Sequence, residues 1–266
     1  MPAKIVAIAN QKGGVGKTTT AVTLGSGLAM TGHRTLIVDL DPQGHVAHML
    51  NLPKSGSLRR WFYDGEPLGK EAVEVRDRLS VLRGDKSTDR VKGKIRDESY
   101  GEELFARELV EGTHKFDVVI LDMAPSLDVL HVAGLLAADT VLIPTKLRFT
   151  DLDGVSEVIR SIQEVARHGH AISHYAFLPT FFDRTTKETI VRLRELHQAF
   201  QGRVWPPIMQ DVKAAEAPGH GQTLWEYAPG GSAVAGYTDT SGKRIGGYSD
   251  TDRKSTRLNS SHVSQS

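Results

Sequence analysis

Short runs of apolar residues recur along the chain, and most of them stop at a proline or an aspartate. These runs predict strands at residues 5–9, 35–39, 116–122, 141–145 and 175–180. Apolar residues at helical spacing between them predict helices at residues 19–30, 101–110, 153–166 and 186–200. Uninterrupted apolar strands that alternate with helices are typical of a parallel sheet covered on both faces. We therefore expect an α/β fold, a doubly wound, mostly parallel sheet flanked by helices, in one domain over residues 1–251.

The segment from residue 49 to residue 111 has a less regular pattern. Only Leu79–Leu82 is predicted as a strand there, before the predicted helix at residues 101–110. Residues 83–96 carry six lysines and arginines against two aspartates. We interpret this stretch as a solvated charged loop, with a surface for a partner or for DNA as the alternative. The aromatic residues at positions 61–63 are interpreted as packed core.

A glycine-rich loop follows the first predicted strand and leads into the first predicted helix. Free backbone N–H groups and the positive end of the helix dipole can surround phosphate oxygens there. Lys17 would reach the β- and γ-phosphates, and the Thr18 hydroxyl would complete a Mg²⁺ shell. The sequence thus predicts an ATP site. Its candidate phosphate-binding residues are Gly13, Gly14, Val15, Gly16, Lys17, Thr18 and Thr19.

Acidic residues stand at the ends of two other predicted strands. Asp39 and Asp41 end the second strand, and Asp122 ends the third. Ligands of parallel sheets gather at the carboxyl ends of the strands, so these carboxylates should lie near the glycine loop. A carboxylate that follows four apolar residues has the form of a Walker B strand, which places Asp122 beside Mg²⁺.

Composition narrows the classes of function. The chain of 266 residues has no cysteine, which excludes disulfides and thiolate-bound metals or clusters. Its formal net charge is +1, so any nucleic-acid binding must come from a local patch. No apolar stretch approaches the roughly 18 residues that a bilayer requires, and the first strand begins almost at the N-terminus. We expect a cytoplasmic protein.

The glycine loop departs from the usual form, since Gln11 replaces its first glycine and Lys12 precedes the two others. It resembles the deviant Walker A loop of the ParA/MinD-type ATPases. Residues 39–44 resemble the switch I loop of that family, and residues 122–126 its switch II loop, with Ala124 in place of a proline. Residues 215–223 and 225–229 resemble two further stretches of ParA proteins, with Gln222 where lysine is usual. The resemblance runs from about Lys4 to Tyr237.

This resemblance implies roles for individual residues. Lys12 would reach across an ATP-bound homodimer to the phosphates of the partner, as an arginine finger does. Asp41 would orient the attacking water, while Asp39, Thr18 and Asp122 would support Mg²⁺. The implied catalytic residues are Lys12, Lys17 and Asp41.

The resemblance also implies partners. A small ParA protein binds DNA without sequence preference and is stimulated by a ParB-type centromere-binding protein, so the chain would associate with the nucleoid. Candidate DNA contacts are the cations of the downstream half, Arg184, Lys187, Arg192, Arg194, Arg203 and Lys213. Thr185 stands where many relatives carry arginine, which would weaken the affinity for DNA.

Two other functions remain as alternatives. A MinD-like, membrane-associated positioning ATPase would need a C-terminal amphipathic helix, and nothing after Tyr237 has that pattern. An ATPase acting on a small molecule would need a substrate pocket, for which no signature is present.

Residues 252–262 look like the in-frame translation of a sequencing-library adapter. We therefore expect residues 252–266 to be non-native, with a natural disordered tail as the alternative, and the closing helix of the domain to be truncated.

Overall fold

The strands of the computed structural model form one seven-stranded sheet, and the structure describes residues 2–148, 153–167, 170 and 172–237. The segment expected to be non-native, residues 252–266, lies outside this part. The strands in chain order are β1 (Lys4–Ile8), β2 (Thr35–Asp39), β3 (Val73–Arg76), β4 (Leu79–Leu82), β5 (Val118–Asp122), β6 (Thr140–Lys146) and β7 (His174–Thr180).

Helices connect most of these strands. The first half of the described chain contains α1 (Lys17–Met30), α2 (His45–Met49), α3 (Ser57–Phe62), α4 (Leu68–Glu71), α5 (Thr88–Asp97) and α6 (Gly101–Gly112). The second half contains α7 (Val129–Ala137), α8 (Asp153–Arg167), α9 (Lys187–Ala199), α10 (Val212–Glu216), α11 (Leu224–Tyr227) and α12 (Ser232–Ala235). No helix within the described ranges is long and apolar enough to cross a membrane.

The order of strands across the sheet is β3-β4-β2-β5-β1-β6-β7. All neighbours are parallel except β3 and β4, which pair antiparallel at the edge. The predicted α/β class with a doubly wound, mostly parallel sheet is thereby confirmed. After β1 the chain moves to one side of the sheet, and β6 later joins the other side of β1. This change of direction opens a crevice at the carboxyl end of β1, where such folds bind ligands.

Two hydrophobic cores cover the two faces of the sheet. One contains the apolar residues of α3 to α9, with Phe62, Phe105 and Phe177 fully buried. The other contains those of α1, α2, α11 and α12, including Trp225. Because both faces are covered, the central strands are apolar on both sides, which explains their uninterrupted apolar runs.

Helix α1 is buried on both sides, between the sheet and the C-terminal segment. A Cβ atom at Gly25 would lie 2.9 Å from the Ile37 side chain, and one at Gly27 would lie 3.0 Å from the Trp225 ring. Small residues therefore let α1 approach both neighbours closely. The Trp225 indole donates a hydrogen bond of 2.7 Å to the carbonyl oxygen of Thr23, and the Tyr237 hydroxyl lies 3.2 Å from that of Thr20. The C-terminal segment thus holds the helix that carries the glycine loop.

The region between residues 49 and 111 differs most from the prediction. Strand β3 was not expected, and residues 88–97 form α5 rather than a charged loop. Val91 and Ile95 of α5 are buried while its cations point outward or pair, so the apolar stripe had been hidden among charges. Trp61 and Phe62 lie in the core as expected, but Tyr63 is 48% exposed.

We predict that Trp225→Phe lowers the free energy of unfolding by about 2 kcal/mol, because it removes a buried hydrogen bond and part of a packed ring. The control is Trp205→Phe, since Trp205 is only partly buried and its indole nitrogen bonds to nothing within the described ranges. That change should cost less than about 1 kcal/mol. Urea unfolding measures both, and equal losses would contradict the role given to the Trp225 hydrogen bond.

Candidate functional site

The glycine loop between β1 and α1 has the backbone of an anion-binding nest. Gly14 has φ +69° and Gly16 has φ +91°, a left-handed conformation that side chains disfavour. Gly16 is the residue immediately before α1, so the N–H groups of the first helical turn point into the loop. Gly13 and Gly14 are exposed, and no atom of the described residues lies within 4 Å of the Cβ position of either. The loop can therefore accept phosphate oxygens from outside.

Side chains from outside the motif hold this loop in place. The Asn10 amide donates to the carbonyl oxygen of Pro144 in β6 at 2.8 Å, and its side-chain oxygen accepts from the Lys12 N–H at 2.9 Å. The Thr180 hydroxyl at the end of β7 donates to the carbonyl oxygen of Val15 at 2.9 Å. Strands β6 and β7 thus fix the loop at both ends, which preorganises it for a ligand.

Lys17 is the buried cation of the site, with only 8% of its surface exposed. Its ammonium donates to the carbonyl oxygen of Lys12 at 3.0 Å. Burial lowers the pKa of Lys17, while the nearby carboxylates of Asp122 and Asp41 act in the opposite direction. A charged ammonium in this place needs anions around it, and a triphosphate would supply them.

Asp39 and Asp122 stand side by side at the ends of β2 and β5, where the sheet register pairs them directly. Both are buried, at 0% and 1% exposure. Burial raises the pKa of each carboxyl, and for Asp39 the nearby Asp122 raises it further. Among the described residues, neither oxygen of Asp122 has a hydrogen-bond partner. The Thr18 hydroxyl is near enough to favour the charged form of Asp122, without the geometry of a hydrogen bond.

Asp39 and Asp41 organise the loop after β2. Asp39 accepts backbone hydrogen bonds from Asp41 and Val46, both at 3.1 Å, and Asp41 accepts one from Gln43 at 2.9 Å. Asp41 is 8% exposed. Asp39 therefore fixes the backbone that carries Asp41, whose own carboxylate keeps an oxygen available at the edge of the site.

Gly84, two residues after the end of β4, allows the Asp39–Asp41 loop to pack closely against it. A Cβ atom at Gly84 would lie 2.5 Å from the carbonyl oxygen of Asp39 and 3.0 Å from that of Asp41. A Cβ atom at Gly44 would in turn lie 2.7 Å from the carbonyl oxygen of Gly84. Two glycines thus let the backbones of two loops meet beside the carboxylates.

The loop after Asp122 is fixed at its far end by Asp128. This residue caps α7 by accepting from the N–H groups of Leu130 and His131, at 3.0 and 3.3 Å. It also accepts from the Ser126 hydroxyl at 2.8 Å and forms a 2.7 Å ion pair with Lys92 of α5. These bonds lower the pKa of Asp128 against the effect of burial, which is the largest single influence on it. The loop between the two is therefore short, and it is held at one end by β5 through Asp122 and at the other by Asp128.

These residues fit a bound nucleotide with Mg²⁺. The unpartnered carboxylate of Asp122 lies within reach of the Thr18 hydroxyl, and both are ligand types that Mg²⁺ accepts alongside phosphate oxygens and water. The buried Lys17 and the open glycine loop would hold the phosphates. The structure brings together the predicted residues of the loop, Asp39, Asp41 and Asp122 at one edge of the sheet.

The predicted DNA contacts lie elsewhere, and they do not form one uniform surface. Lys187 and Arg194 are seven residues apart on α9, so they share an exposed face. Arg192 is half-buried and forms an ion pair of 2.5 Å with Glu195. Arg203 lies over the ring of Tyr175 at 4.0 Å. Arg184 and Lys213 are exposed on the segment before α9 and on α10.

Sequence reasoning missed Asn10, Thr180, Gly84 and the Lys92–Asp128 pair. The asparagine two residues before Lys12 is a turn signal that could have been read locally. Asp128 two residues after a serine and directly before an apolar run is a helix-capping signal. Thr180 and Gly84 act on residues far away in the chain, and no local pattern marks them.

Comparisons with known proteins agree with this geometry. A family model described as an AAA domain, AAA_31, matches residues 3–173. The chain is 31% identical over 243 residues to the sporulation initiation inhibitor protein Soj of Bacillus subtilis, and the match covers 89% of this chain and 96% of that protein. It is 32% identical over 236 residues to the chromosome partitioning protein ParA of Caulobacter vibrioides, covering 85% of this chain and 88% of that protein.

A solved structure with a bound ligand is also similar. It is named cobyrinic acid a,c-diamide synthase from Mycobacterium smegmatis, with bound ADP and magnesium. The TM-score is 0.73 and the identity 28%, and the match covers 82% of this chain and 92% of that one. This similarity supports the use of a nucleotide and Mg²⁺ by the present chain.

We predict that Gly84→Ala destabilises the protein by about 2 kcal/mol, because the new methyl group would overlap two carbonyl oxygens of the Asp39–Asp41 loop. The matched control is Gly93→Ala within α5, where the added Cβ meets no atom of the described part of the chain within 4 Å. That change should stabilise by about 0.5–1 kcal/mol through helix propensity. Urea unfolding measures both. Similar effects of the two changes would show that Gly84 does not hold the loops together.

A second prediction concerns pH. Burial raises the pKa of Asp122 above its unfolded value. This carboxyl therefore stabilises the fold fully below about pH 4 and loses that effect as pH rises through the raised pKa. Without metal or nucleotide, Asp122→Asn should raise the free energy of unfolding by about 2 kcal/mol at pH 8 and much less at pH 4.

The control for this pH dependence is Asp77→Asn, since the side chain of Asp77 is 93% exposed. It should leave the stability nearly unchanged at both pH values. Urea unfolding in a chelating buffer provides the measurement. A less stable Asp122→Asn protein at pH 8 would contradict the claim that an unpaired buried charge is held there.

Proposed function

Since the chain belongs to the ParA-type ATPases, we propose that it is a DNA-segregation ATPase that forms a homodimer on binding ATP. The dimer binds DNA without sequence preference and hydrolyses ATP when a ParB-type partner stimulates it. The observation that carries this proposal is the edge of the sheet where the open glycine loop, buried Lys17 and the unpartnered Asp122 meet. The protein acts in the cytoplasm, on the nucleoid.

Binding of the nucleotide is assigned to the loop and the first turn of α1. The N–H groups of residues 13–19 and the Lys17 ammonium would hold the phosphates, while Thr18 and Asp122 would hold Mg²⁺, with Asp39 supporting it through water. Bound Mg²⁺ supplies positive charge that neutralises the phosphates and the buried carboxylates. Lys17 then exchanges the Lys12 carbonyl for phosphate oxygens, because an anion is the stronger acceptor for an ammonium.

Hydrolysis is assigned to Asp41 and to the Lys12 of the second copy. Asp41 is held by Asp39 at the edge of the site, so its carboxylate can accept a proton from water and orient it. The Lys12 backbone is bonded on both sides, to Asn10 and to Lys17, which gives its side chain a rigid base. A cation delivered from that base by the other copy would stabilise charge in the transition state.

DNA binding is assigned to the exposed cations of the downstream half. Lys187 and Arg194 form the face of α9 that suits phosphate contacts, with Arg184 and Lys213 nearby in the chain. Arg192 and Arg203 contribute less to DNA binding, because Arg192 pairs with Glu195 and Arg203 lies over the ring of Tyr175. Each phosphate contact contributes roughly −0.9 to the slope of log affinity against log salt.

Three substitutions test the proposed cycle. Lys17→Ala should abolish nucleotide binding. Lys12→Ala should retain nucleotide binding but lose dimer formation and stimulated turnover, by roughly 10³-fold or more. Asp41→Ala should retain the ATP-bound dimer and lose hydrolysis. The control is Lys70→Ala, because Lys70 is an exposed lysine that pairs with Glu66 outside the site.

The readouts are nucleotide binding, molecular mass with ATP, turnover, and sedimentation with DNA and with anionic liposomes. ATP-dependent sedimentation with DNA, weakened in Lys187→Ala, supports the partition function. Sedimentation with liposomes alone would favour a membrane-positioning ATPase instead. A Lys12→Ala protein with unchanged dimer formation and turnover would overturn the role of that lysine.

A further inference from the structure

His131, in the first turn of α7, is a buried polar residue to which the mechanism above gives no role. Only 4% of its surface is exposed. Among the described residues neither nitrogen of its ring has a hydrogen-bond partner, although its backbone N–H donates to the Asp128 carboxylate at 3.3 Å. Burying an imidazole without hydrogen bonds costs free energy, so a function of this side chain in another state of the protein is to be expected.

The ring of His131 faces the two loops that carry the carboxylates of the site. Residues three apart share a face of a helix, so His131 faces the same side as Gly134. A Cβ atom at Gly134 would lie 2.7 Å from the Met123 side chain and 3.3 Å from that of Leu40, and each of these two residues directly follows an aspartate of the site. A helical side chain also points toward the start of its helix, which here is the end of the loop that leaves the site.

The charges around His131 place its ring near the phosphate-binding lysine. Burial lowers the pKa of His131 to about 4, Asp128 acts in the opposite direction, and the charge of Lys17 lowers it further. The ring is therefore neutral at neutral pH, with one nitrogen that can donate a hydrogen bond and one that can accept one. Such a ring can bond to a peptide group without adding charge beside Lys17.

The loop between Asp122 and Asp128 offers matching groups. The backbone N–H groups of Ala124, Ser126 and Leu127 donate to no other group in the described part of the chain. The loop begins directly after the carboxylate that would bind Mg²⁺, and Asp128 holds its other end. Because both ends are held, any change at Asp122 has to be taken up by these few residues.

We propose that His131 is a positioning residue for ATP turnover, whose ring accepts a hydrogen bond from a backbone N–H of the 124–127 loop when ATP and Mg²⁺ bind at Asp122. The bond satisfies a buried nitrogen and fixes the loop in one conformation at the same time. Nucleotide binding and ordering of the loop are thereby coupled. This inference rests on the proposed function, because it concerns the turnover of ATP.

The main test replaces His131 by phenylalanine, which keeps a ring and removes both nitrogens. Without nucleotide, His131→Phe should require more urea to unfold than the unmodified protein, because an apolar ring replaces an unpaired polar one. Its maximal rate of ATP turnover should nevertheless fall roughly tenfold, the effect of one lost hydrogen bond. The KM for ATP should change less than about twofold. A purely structural role would not make the protein both more stable and slower.

His131→Gln and His174→Phe are the controls. Glutamine keeps a donor and an acceptor at position 131, so His131→Gln should retain turnover within about threefold of the unmodified protein. His174 is exposed at the start of β7, at the edge of the sheet opposite to the site. His174→Phe should therefore change neither the urea midpoint nor the turnover appreciably.

Nitrogen NMR of the full chain with ¹⁵N-labelled histidine observes the bond itself. Signals that are absent from both variants at position 131 belong to the ring of His131. We expect one of them to shift when Mg²⁺ and a nonhydrolysable ATP analogue are added together, because a ring nitrogen then accepts a hydrogen bond. The ring signals of His174, identified in the same way, should stay in place.

Unchanged His131 signals on addition of the analogue would overturn the proposal, as would a His131→Phe protein that turns over ATP at the unmodified rate. Equal losses of turnover in His131→Phe and His131→Gln would also contradict it, since only one of them removes the hydrogen bond. Failure of the partition function would appear differently. The unmodified protein would then not sediment with DNA in the presence of ATP, while the analogue would still shift the His131 signal.

Discussion

Two aspartates buried side by side at the ends of neighbouring strands are the constraint on which the rest of the site depends. Asp39 satisfies its oxygens with backbone N–H groups, whereas Asp122 keeps both oxygens without a hydrogen-bond partner among the described residues. A buried carboxylate without a partner is costly, and the effect of burial on its pKa expresses that cost. Such a group is kept where a cation is to be bound.

The rest of the fold positions cations and anions around this pair. The strand order places the glycine loop next to the carboxylates, and α1 brings Lys17 to the same edge. Trp225 and Tyr237 hold α1 from the other side. The glycines of the loop supply N–H groups for an anion that Lys17 and Mg²⁺ would share. The buried charges of the empty site therefore lower the free energy of unfolding of the protein, and ligand binding raises it again.

The sequence was most informative where a single local pattern was sufficient to predict a strand, a loop or a site residue. Apolar strands that end in Asp39 and Asp122, and a glycine loop after β1, predicted the fold class and the neighbourhood of the site, because parallel strands bring their ends together. The sequence was least informative where distant residues decide. Gly84 matters only because the loop of Asp39 lies against it. Helix α5 was not recognised because its narrow apolar stripe lies among four cations.

The same division applies to His131 on α7. The capping residue Asp128 is a local signal for the start of that helix, but residues far apart in the chain bury the imidazole, so no motif marks it. Asp128 connects His131 to the site, since the loop from Asp122 ends there.

The most direct test of the buried-carboxylate account is the unfolding free energy of the protein in four conditions at neutral pH. These are a chelating buffer, Mg²⁺ alone, a nonhydrolysable ATP analogue alone, and both together. The account predicts that the gain with both exceeds the sum of the separate gains, because the cation neutralises the aspartates only when phosphates complete its shell. Strictly additive gains would contradict it.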